Sequence, residues 1–328
     1  MAAPANPLAD VPGMPVLRER IEKRLAVAVE SDDPAMTEMA SHLVRAGGKR
    51  LRPVMAALSS TAGTGPAAVG DDAVTGGVAC ELVHVGSLHH DDVIDEAPTR
   101  HRVDSVNARW GNLRAILSGD FLLARASELA ASLGREVAAL LAATIGRLCE
   151  GQVRELQLAY QVERTDADYT AAIEGKTAAL FATACRIGAL VAEAPRDEVD
   201  ALTEFGLRFG LAFQVVDDIL DVVATDEELG KPAGHDMAEG VYTLPVLQTL
   251  AGDGAEAGEL RSLLGGPLEP EERARALALV RGSGGVAAAA DRARGYVEDA
   301  VGALAALPPS SGGEALAAGA RHLVAGLG

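Results

Sequence analysis

Aromatic residues are scarce in this chain of 328 residues: phenylalanine, tyrosine and tryptophan together make up 3%. The apolar fraction is nevertheless 48%, and it consists mostly of alanine, leucine and valine, which is typical of a helical core. We find no β-branched alternating segment that predicts a strand. The composition therefore indicates an all-α protein.

Basic residues are fewer than acidic residues, and long apolar runs are absent from the sequence. The 29 lysines and arginines stand against 47 acidic residues, and the formal net charge of −18 argues against a nucleic-acid partner. No apolar run approaches the roughly 20 residues needed to span a bilayer. Residues 1–13 lack the charged and apolar regions of a signal peptide. We expect a cytoplasmic protein with peripheral membrane contact at most.

Only three cysteines occur, Cys80, Cys149 and Cys185, and they are widely separated and match no metal-binding spacing. We interpret them as buried thiols in a reducing compartment. Glycine and proline breaks separate the apolar periodic segments, and no linker is long enough to divide the chain. We predict a flexible segment over residues 1–13 and a single all-α domain over residues 14–328. After a helix over residues 15–29 and one between Pro34 and Gly47, the predicted helices cover residues 54–60, 72–95, 112–133, 136–161, 170–193, 196–224, 243–264, 269–281, 286–307 and 314–327.

Two acidic stretches with the same internal spacing lie within apolar helical patterns. We call Asp91, Asp92 and Asp95 the first acidic motif, and Asp217, Asp218 and Asp221 the second acidic motif. Residues four apart share a helix face, so each motif brings carboxylates together that repel each other unless a cation neutralises them. One such stretch alone could be a solvated helix end. Two of them favour facing helices that hold Mg²⁺ against a phosphorylated substrate.

Basic and polar residues near these motifs predict two anion sites. Lys49 and Arg52 follow a glycine pair, Arg100 follows the first acidic motif, and Lys231 follows the second. Lys176 precedes Thr177 in an apolar helix, where an unpaired lysine would be costly. Arginine forks and lysine charges are suited to diphosphates. His84 lies two helical turns before the first acidic motif, and Gln214 lies three residues before the second, so both fall on the motif faces.

Taken together, these segments resemble the trans-isoprenyl (polyprenyl) diphosphate synthase family over about residues 47–245. The matching stretches are GGKRLRP (47–53), LHHDDVID (88–95), SVNARWG (105–111), Gly119-Asp120, Lys176-Thr177, FQVVDDILD (213–221), GKPAGHD (230–236) and Thr243-Leu244-Pro245. Each stretch is weak alone, but the ordered set is highly specific. The resemblance implies a helical bundle of the isoprenoid synthase type with a central active-site cavity.

The resemblance also implies an activity and a set of roles. The activity is the Mg²⁺-dependent, head-to-tail, trans condensation of isopentenyl diphosphate with an allylic diphosphate, by a homodimer that holds three metal ions with substrate. The metal ligands would be the six aspartates of the two acidic motifs. The allylic diphosphate would be held by Arg100, Lys176, Thr177, Gln214 and Lys231, and isopentenyl diphosphate by Lys49, Arg52 and His84. We expect Lys176, Asp91 and Asp217 to be the catalytic residues.

The chain departs from the family at one position. The family has Arg-Arg-Gly where this chain has Arg100-His101-Arg102, so His101 replaces the second arginine, which in the family binds isopentenyl diphosphate. A histidine carries a charge only part of the time at neutral pH. We therefore expect weaker isopentenyl diphosphate binding unless Arg102 reaches the site.

Product length depends on the helix that precedes the first acidic motif. In the family, a bulky aromatic residue four or five positions before the first aspartate stops growth early, but here those positions are Ser87 and Gly86. We predict a medium or long polyprenyl chain, as used for quinone side chains, and expect Gly86→Phe to shorten it. The alternatives are a geranylgeranyl diphosphate synthase, a class I terpene cyclase and a non-catalytic subunit of a heteromeric synthase.

Overall fold

The computed structural model of the chain describes residues 8, 11–65, 68–225 and 233–327. Most of the flexible segment predicted for residues 1–13 lies outside the described residues. The first helices are α1 (Met14–Ala28), α2 (Pro34–Ala46), α3 (Leu51–Ser59) and α4 (Asp71–Ile94). Two short antiparallel strands follow, β1 (Thr99–Arg100) and β2 (Val103–Asp104), and then α5 (Val106–Trp110), α6 (Asn112–Ser132) and α7 (Arg135–Gln157).

The described part of the second half of the chain also consists of helices. It contains α8 (Asp166–Ile173), a π-helical turn (Glu174–Ala178), α9 (Ala179–Val191), α10 (Arg196–Val223), α11 (His235–Ala238), α12 (Leu244–Leu250), α13 (Ala255–Leu263), α14 (Pro270–Gly282), α15 (Gly285–Ala303), a 3₁₀ turn (Leu304–Ala306) and α16 (Ser311–Val324). The all-α prediction is confirmed. Within the described ranges, no helix is both long enough and apolar enough to span a membrane.

Local sequence signals explain several helix starts. The Asp33 side chain accepts a hydrogen bond from the Ala35 amide at 2.9 Å, and Pro34 occupies the first position of α2. Thr165 and Asp168 form a reciprocal capping box at the start of α8. These signals are local in sequence, and they satisfy backbone amides at the starts of α2 and α8.

Two helix predictions were wrong in part, and one hairpin was not predicted. The predicted helix 170–193 starts earlier, at Asp166, and is interrupted by the π-helical turn. The predicted helix 243–264 is two helices, α12 and α13. The β1–β2 hairpin was not predicted, because its strands are two residues long and carry no period-two pattern.

The helices that carry the acidic motifs lie at the centre of the packing. Helix α4 packs on α3, α6 and α9, and α10 packs on α9 and α15. A Cβ atom on Gly210 would lie 2.5 Å from the Ala178 Cα, so α10 lies in direct backbone contact with the segment before α9. Helix α10 contributes to both apolar clusters of the core. Cys80 and Cys185 are buried as predicted, but Cys149 is exposed on α7, so the prediction was wrong there.

Candidate active site

The first acidic motif occupies the C-terminal end of α4. Asp92 is fully buried, and Arg100 on β1 donates to its Oδ1 through Nε and Nη2, each at 2.7 Å. The Asp92 Oδ2 atom is buried and has no hydrogen-bond partner among the described residues. A buried carboxylate oxygen left without a partner is costly, and a divalent cation would satisfy it. The donor chemistry of this motif therefore fits a magnesium ion.

Burial destabilises the charge of this motif. Desolvation raises the pKa values of Asp91 and Asp92, against the opposing effects of Lys176 on Asp91 and Arg100 on Asp92. Asp95 ends α4 and is exposed, yet desolvation together with the neighbouring Glu239 and Asp91 raises its pKa to about 6. Burial therefore makes a negative charge costly at all three aspartates of the motif.

The second acidic motif is tied to α8 and to the π-helical turn by neutral donors. Asp218 is buried, and its Oδ2 accepts from the Tyr169 hydroxyl at 2.5 Å, while its Oδ1 accepts from Gln214 Nε2 at 2.9 Å. The Thr177 hydroxyl donates to Gln214 Oε1 at 2.8 Å. Burial and the charge of Asp236 raise the pKa of Asp218 well above its ordinary value. Asp217 is exposed, and Asp221 is buried on the same helix.

The π-helical turn connects the two motifs. Its Thr177 belongs to the Asp218 network, and the adjacent Lys176 is the strongest opposing charge on the pKa of Asp91. The Lys176 Nζ lies 2.5 Å from Glu155 Oε1 on α7, and the charges of Glu155, Asp91 and Asp95 raise its pKa despite burial. The sequence analysis missed Glu155 and Tyr169, since a lone carboxylate on α7 and a tyrosine at a helix start carry no distinguishing pattern.

The residues predicted to hold the second substrate lie at the start of α3. Arg52 is buried, and within the described part of the chain its Nε has no hydrogen-bond partner. Its guanidinium lies 4.6 Å from the centroid of the Phe181 ring. Lys49 is exposed at the preceding turn. Arg50 adopts a left-handed conformation (φ 50°) and donates to Glu22 at 2.8 Å and to the buried Glu81 at 3.2 Å. Arg50 therefore fixes the turn that presents Lys49 and Arg52.

Two histidines, His84 and His101, were also predicted to bind this substrate. Burial and the charge of Arg52 lower the pKa of His84 well below its usual value, so its ring is neutral. His101 lies in the hairpin turn with φ 51° and is exposed, but desolvation and the charges of Arg100 and Arg50 lower its pKa as well. Arg102 is exposed at the next position of the same turn. The pKa values of both histidines predicted for this substrate are therefore lowered, and neither side chain supplies a permanent charge.

Two further histidines belong to the packing of α4. His89 is fully buried, its Nδ1 lies 2.9 Å from the Ser118 hydroxyl, and burial lowers its pKa to about 3. His90 Nε2 lies 3.2 Å from the Ile116 carbonyl oxygen. The predicted Lys231 contact lies outside the described residues. Within the described part of the chain, no three carboxylate, imidazole or thiol groups meet closely enough to enclose a metal ion by themselves.

The positions that bear on product length face different neighbours. A Cβ atom on Gly86 would lie 3.1 Å from the Gly119 carbonyl oxygen and 3.4 Å from Leu122 Cβ, so this position faces the backbone of α6. Ser87 is half-buried, and its hydroxyl donates to the His84 carbonyl oxygen at 2.8 Å. One cavity of about 290 Å³ lies beside the start of α4, at the opposite end from the first acidic motif.

A sequence model of the polyprenyl synthetase family matches residues 33–280. The chain belongs to the polyprenyl synthetase family. It is similar to the nonaprenyl diphosphate synthase of Mycobacterium tuberculosis, with 40% identity over 91% of this chain and 89% of the relative. The predicted family and enzyme class, a transferase of prenyl groups, are confirmed.

Solved structures of polyprenyl synthetases superpose closely on the chain. The polyprenyl synthase of Caulobacter crescentus, complexed with calcium and isoprenyl diphosphate, gives a TM-score of 0.90 with 33% identity, covering 97% of this chain and 96% of that chain. The geranylgeranyl pyrophosphate synthase of Corynebacterium glutamicum, complexed with the same groups, gives 0.82 with 40% identity, covering 94% and 95%. The all-α fold of the family is therefore shared over nearly the whole chain.

Proposed function

We propose that the chain condenses isopentenyl diphosphate with an allylic diphosphate in a magnesium-dependent, head-to-tail, trans reaction. The observation that carries the proposal is the π-helical turn, whose Lys176 acts on the first acidic motif and whose Thr177 reaches the second through Gln214. A diphosphate bound there would meet an ammonium group, a hydroxyl group and both sets of carboxylates. Magnesium usually keeps several waters and takes one or two carboxylates together with substrate phosphates.

In this reaction the aspartates of the two acidic motifs would hold the metal, for which we propose three ions with substrate bound. When bound, magnesium neutralises the diphosphate and makes it a leaving group. Lys176, Thr177, Gln214 and Arg100 orient the allylic diphosphate, and Lys176 stabilises the charge that develops as the C–O bond breaks. We assign Lys231 the same role from the family resemblance alone.

Lys49, Arg52 and His84 hold isopentenyl diphosphate with its double bond directed at the allylic carbon. The double bond attacks that carbon, and the adduct loses a proton to the released diphosphate. The products are the elongated prenyl diphosphate, diphosphate and a proton. The buried apolar residues below the acidic motifs exclude water from the allylic cation.

We propose a medium or long product for a quinone side chain. Support comes from the small residues at positions 86 and 87 and from the similarity to a nonaprenyl diphosphate synthase. The similarity to a geranylgeranyl pyrophosphate synthase at the same identity of 40% favours the shorter product as the second candidate. A terpene cyclase is disfavoured because the polyprenyl synthetase match spans both acidic motifs.

We further propose that the chain works as a homodimer in the cytoplasm. Leu113 and Leu117 on α6, and Val153 and Leu156 on α7, are each at least 50% exposed. Large apolar side chains on adjoining helices are typical of a surface that a second copy covers. Gly206 and Gly210 do not contribute to such a surface, because both face α9 of the same chain.

The direct test is mass spectrometry of the products formed from isopentenyl diphosphate and farnesyl diphosphate with Mg²⁺. The purified chain is expected to form a ladder of longer prenyl diphosphates, and Asp91→Asn is expected to abolish it. Turnover that requires an added protein would favour the heteromeric alternative. A hydrocarbon formed from the allylic diphosphate alone would favour the cyclase. Light scattering of the same preparation measures whether two copies associate.

A further inference from the structure

Lys176 is already engaged before any substrate is bound. Its ammonium group lies 2.5 Å from Glu155 Oε1, and only 15% of the Glu155 side chain is exposed. If Lys176 turns to a diphosphate, as the proposed function requires, Glu155 loses its partner. A largely buried carboxylate without a partner is strongly unfavourable. The site therefore needs a second cation for Glu155 in the substrate complex.

Arg164, in the segment between α7 and α8, has two buried guanidinium nitrogens that no described residue pairs with. It precedes the capping residue of α8, is only 6% exposed, and its Nε and Nη1 are buried without a hydrogen-bond partner among the described residues. Its guanidinium lies 5.7 Å from the centroid of the Tyr169 ring. Burial lowers the pKa of Arg164, and Glu155 opposes that effect more strongly than any other charge.

The other carboxylates that act on Arg164 are already satisfied. Asp218 accepts from Tyr169 and Gln214, and Asp168 accepts from the Thr165 amide and hydroxyl in the capping box. Among these carboxylates, Glu155 is the one whose partner, Lys176, would turn to the diphosphate in the proposed reaction. An arginine fork with unused donors is suited to receive it.

We propose that Arg164 receives Glu155 when Lys176 turns to a diphosphate, so that one ion pair replaces another. Arg164 is then a positioning residue: it lowers the cost of releasing Lys176 and does not itself touch the substrate. This inference rests on the proposed function, because that function supplies the diphosphate that draws Lys176 away.

A double-mutant cycle tests this exchange, because coupled residues deviate from additivity. The measurement is the affinity of the full chain for inorganic diphosphate with Mg²⁺, by isothermal titration calorimetry. Arg164→Met is expected to weaken binding about tenfold. Glu155→Gln is expected to bind diphosphate at least as tightly as wild type, because Lys176 is no longer held. In the Glu155→Gln background, Arg164→Met is expected to change the affinity less than twofold.

Arg154→Met is the matched control, since Arg154 neighbours Glu155 in sequence but is exposed, and its affinity should equal that of wild type. An equal loss for Arg164→Met in both backgrounds would mean that Arg164 contacts the diphosphate, which would overturn the exchange. No loss in either background would overturn it as well.

If Arg164→Met does not fold, Arg164→Lys keeps the charge without the fork and should give a smaller loss that also vanishes with Glu155→Gln. Wild-type prenyl transfer is measured separately. Its absence would refute the proposed function, whereas turnover with an additive cycle would refute only the role of Arg164.

Discussion

Replacing Ser87 by phenylalanine should shorten the product, and the geometry of α4 sets the size of the effect. Ser87 lies one turn before Asp91, about 6 Å along the axis at 1.5 Å per residue. An isoprene unit adds four bonds to the chain, about 5 Å when extended. In the variant, the ring at position 87 leaves room for about one isoprene unit between itself and the first acidic motif. In the wild type, the length of α4 from Asp91 to Asp71 would accommodate about six units. We expect farnesyl diphosphate or a shorter main product.

The assay is mass spectrometry of products from isopentenyl diphosphate and geranyl diphosphate with Mg²⁺. Ser87→Ala is the matched control and should leave the product distribution unchanged, because the Ser87 hydroxyl bonds only within its own helix. A folded, active Ser87→Phe variant whose products are as long as those of wild type would refute the argument that the chain grows along this face of α4.

Gly86→Phe, the substitution first suggested by the sequence, is a less decisive experiment. Its Cβ would lie 3.1 Å from the Gly119 carbonyl oxygen, so the new ring would press on the backbone of α6. Overpacking of this kind costs about 1–3 kcal/mol. We still expect a shorter product, but together with a lower melting temperature, so a change in product length there mixes two causes.

Three further predictions concern charge at the site. His101→Arg should lower the KM for isopentenyl diphosphate about tenfold, because a charged hydrogen bond is worth about 1.5–3 kcal/mol and the lowered pKa of His101 leaves its ring neutral at pH 7; an unchanged KM would contradict this. Asp95→Asn should stabilise the metal-free protein at pH 7 by about 1 kcal/mol in urea unfolding. The pKa of Asp95 is raised from 3.8 to about 6 in the folded protein, so ionisation of this carboxyl group lowers the stability of the fold as the pH rises from 3.8 to 6. The shift corresponds to roughly 3 kcal/mol, but Asp95 is exposed and solvent screens most of this amount. This gain should disappear near pH 4, and an equal gain at both pH values would show that the carboxylate charge is not its cause. Tyr169→Phe should raise the Mg²⁺ concentration for half-maximal activity about fivefold, since a net hydrogen bond to Asp218 worth about 1 kcal/mol is lost; an unaltered magnesium requirement would exclude this role.

The sequence was sufficient for the parts of the site that repeat or that interrupt an apolar pattern. Both acidic motifs lie on central helices, and Arg52 is buried and lowers the pKa of His84. Lys176 was singled out because an unpaired lysine in an apolar helix is costly, and it is indeed paired. A charged residue within an apolar helical pattern indicates a paired side chain, because burying an unpaired charge is unfavourable in any protein.

The partners of these residues were not predictable, because they are brought in from distant segments. Nothing in the sequence around Glu155 or Tyr169 distinguishes them from ordinary helix residues, and their roles follow from tertiary contacts 21 and 49 residues away. The neighbour that a side chain at position 86 would contact was not predictable from the sequence either, because it depends on where α6 packs.

The π-helical turn shifts the helical periodicity of the sequence between α8 and α9. A π-helical turn takes in one residue more than an α-helical turn, and each residue of an α-helix rotates the side-chain direction by about 100°. The apolar stripe of α8 and that of α9 are therefore out of phase by roughly that angle. Deleting Gly175 would restore a continuous helix and bring the two stripes into phase. The same deletion would swing Lys176 away from the first acidic motif. The one extra residue therefore sets the direction of Lys176 relative to the packed faces of α8 and α9.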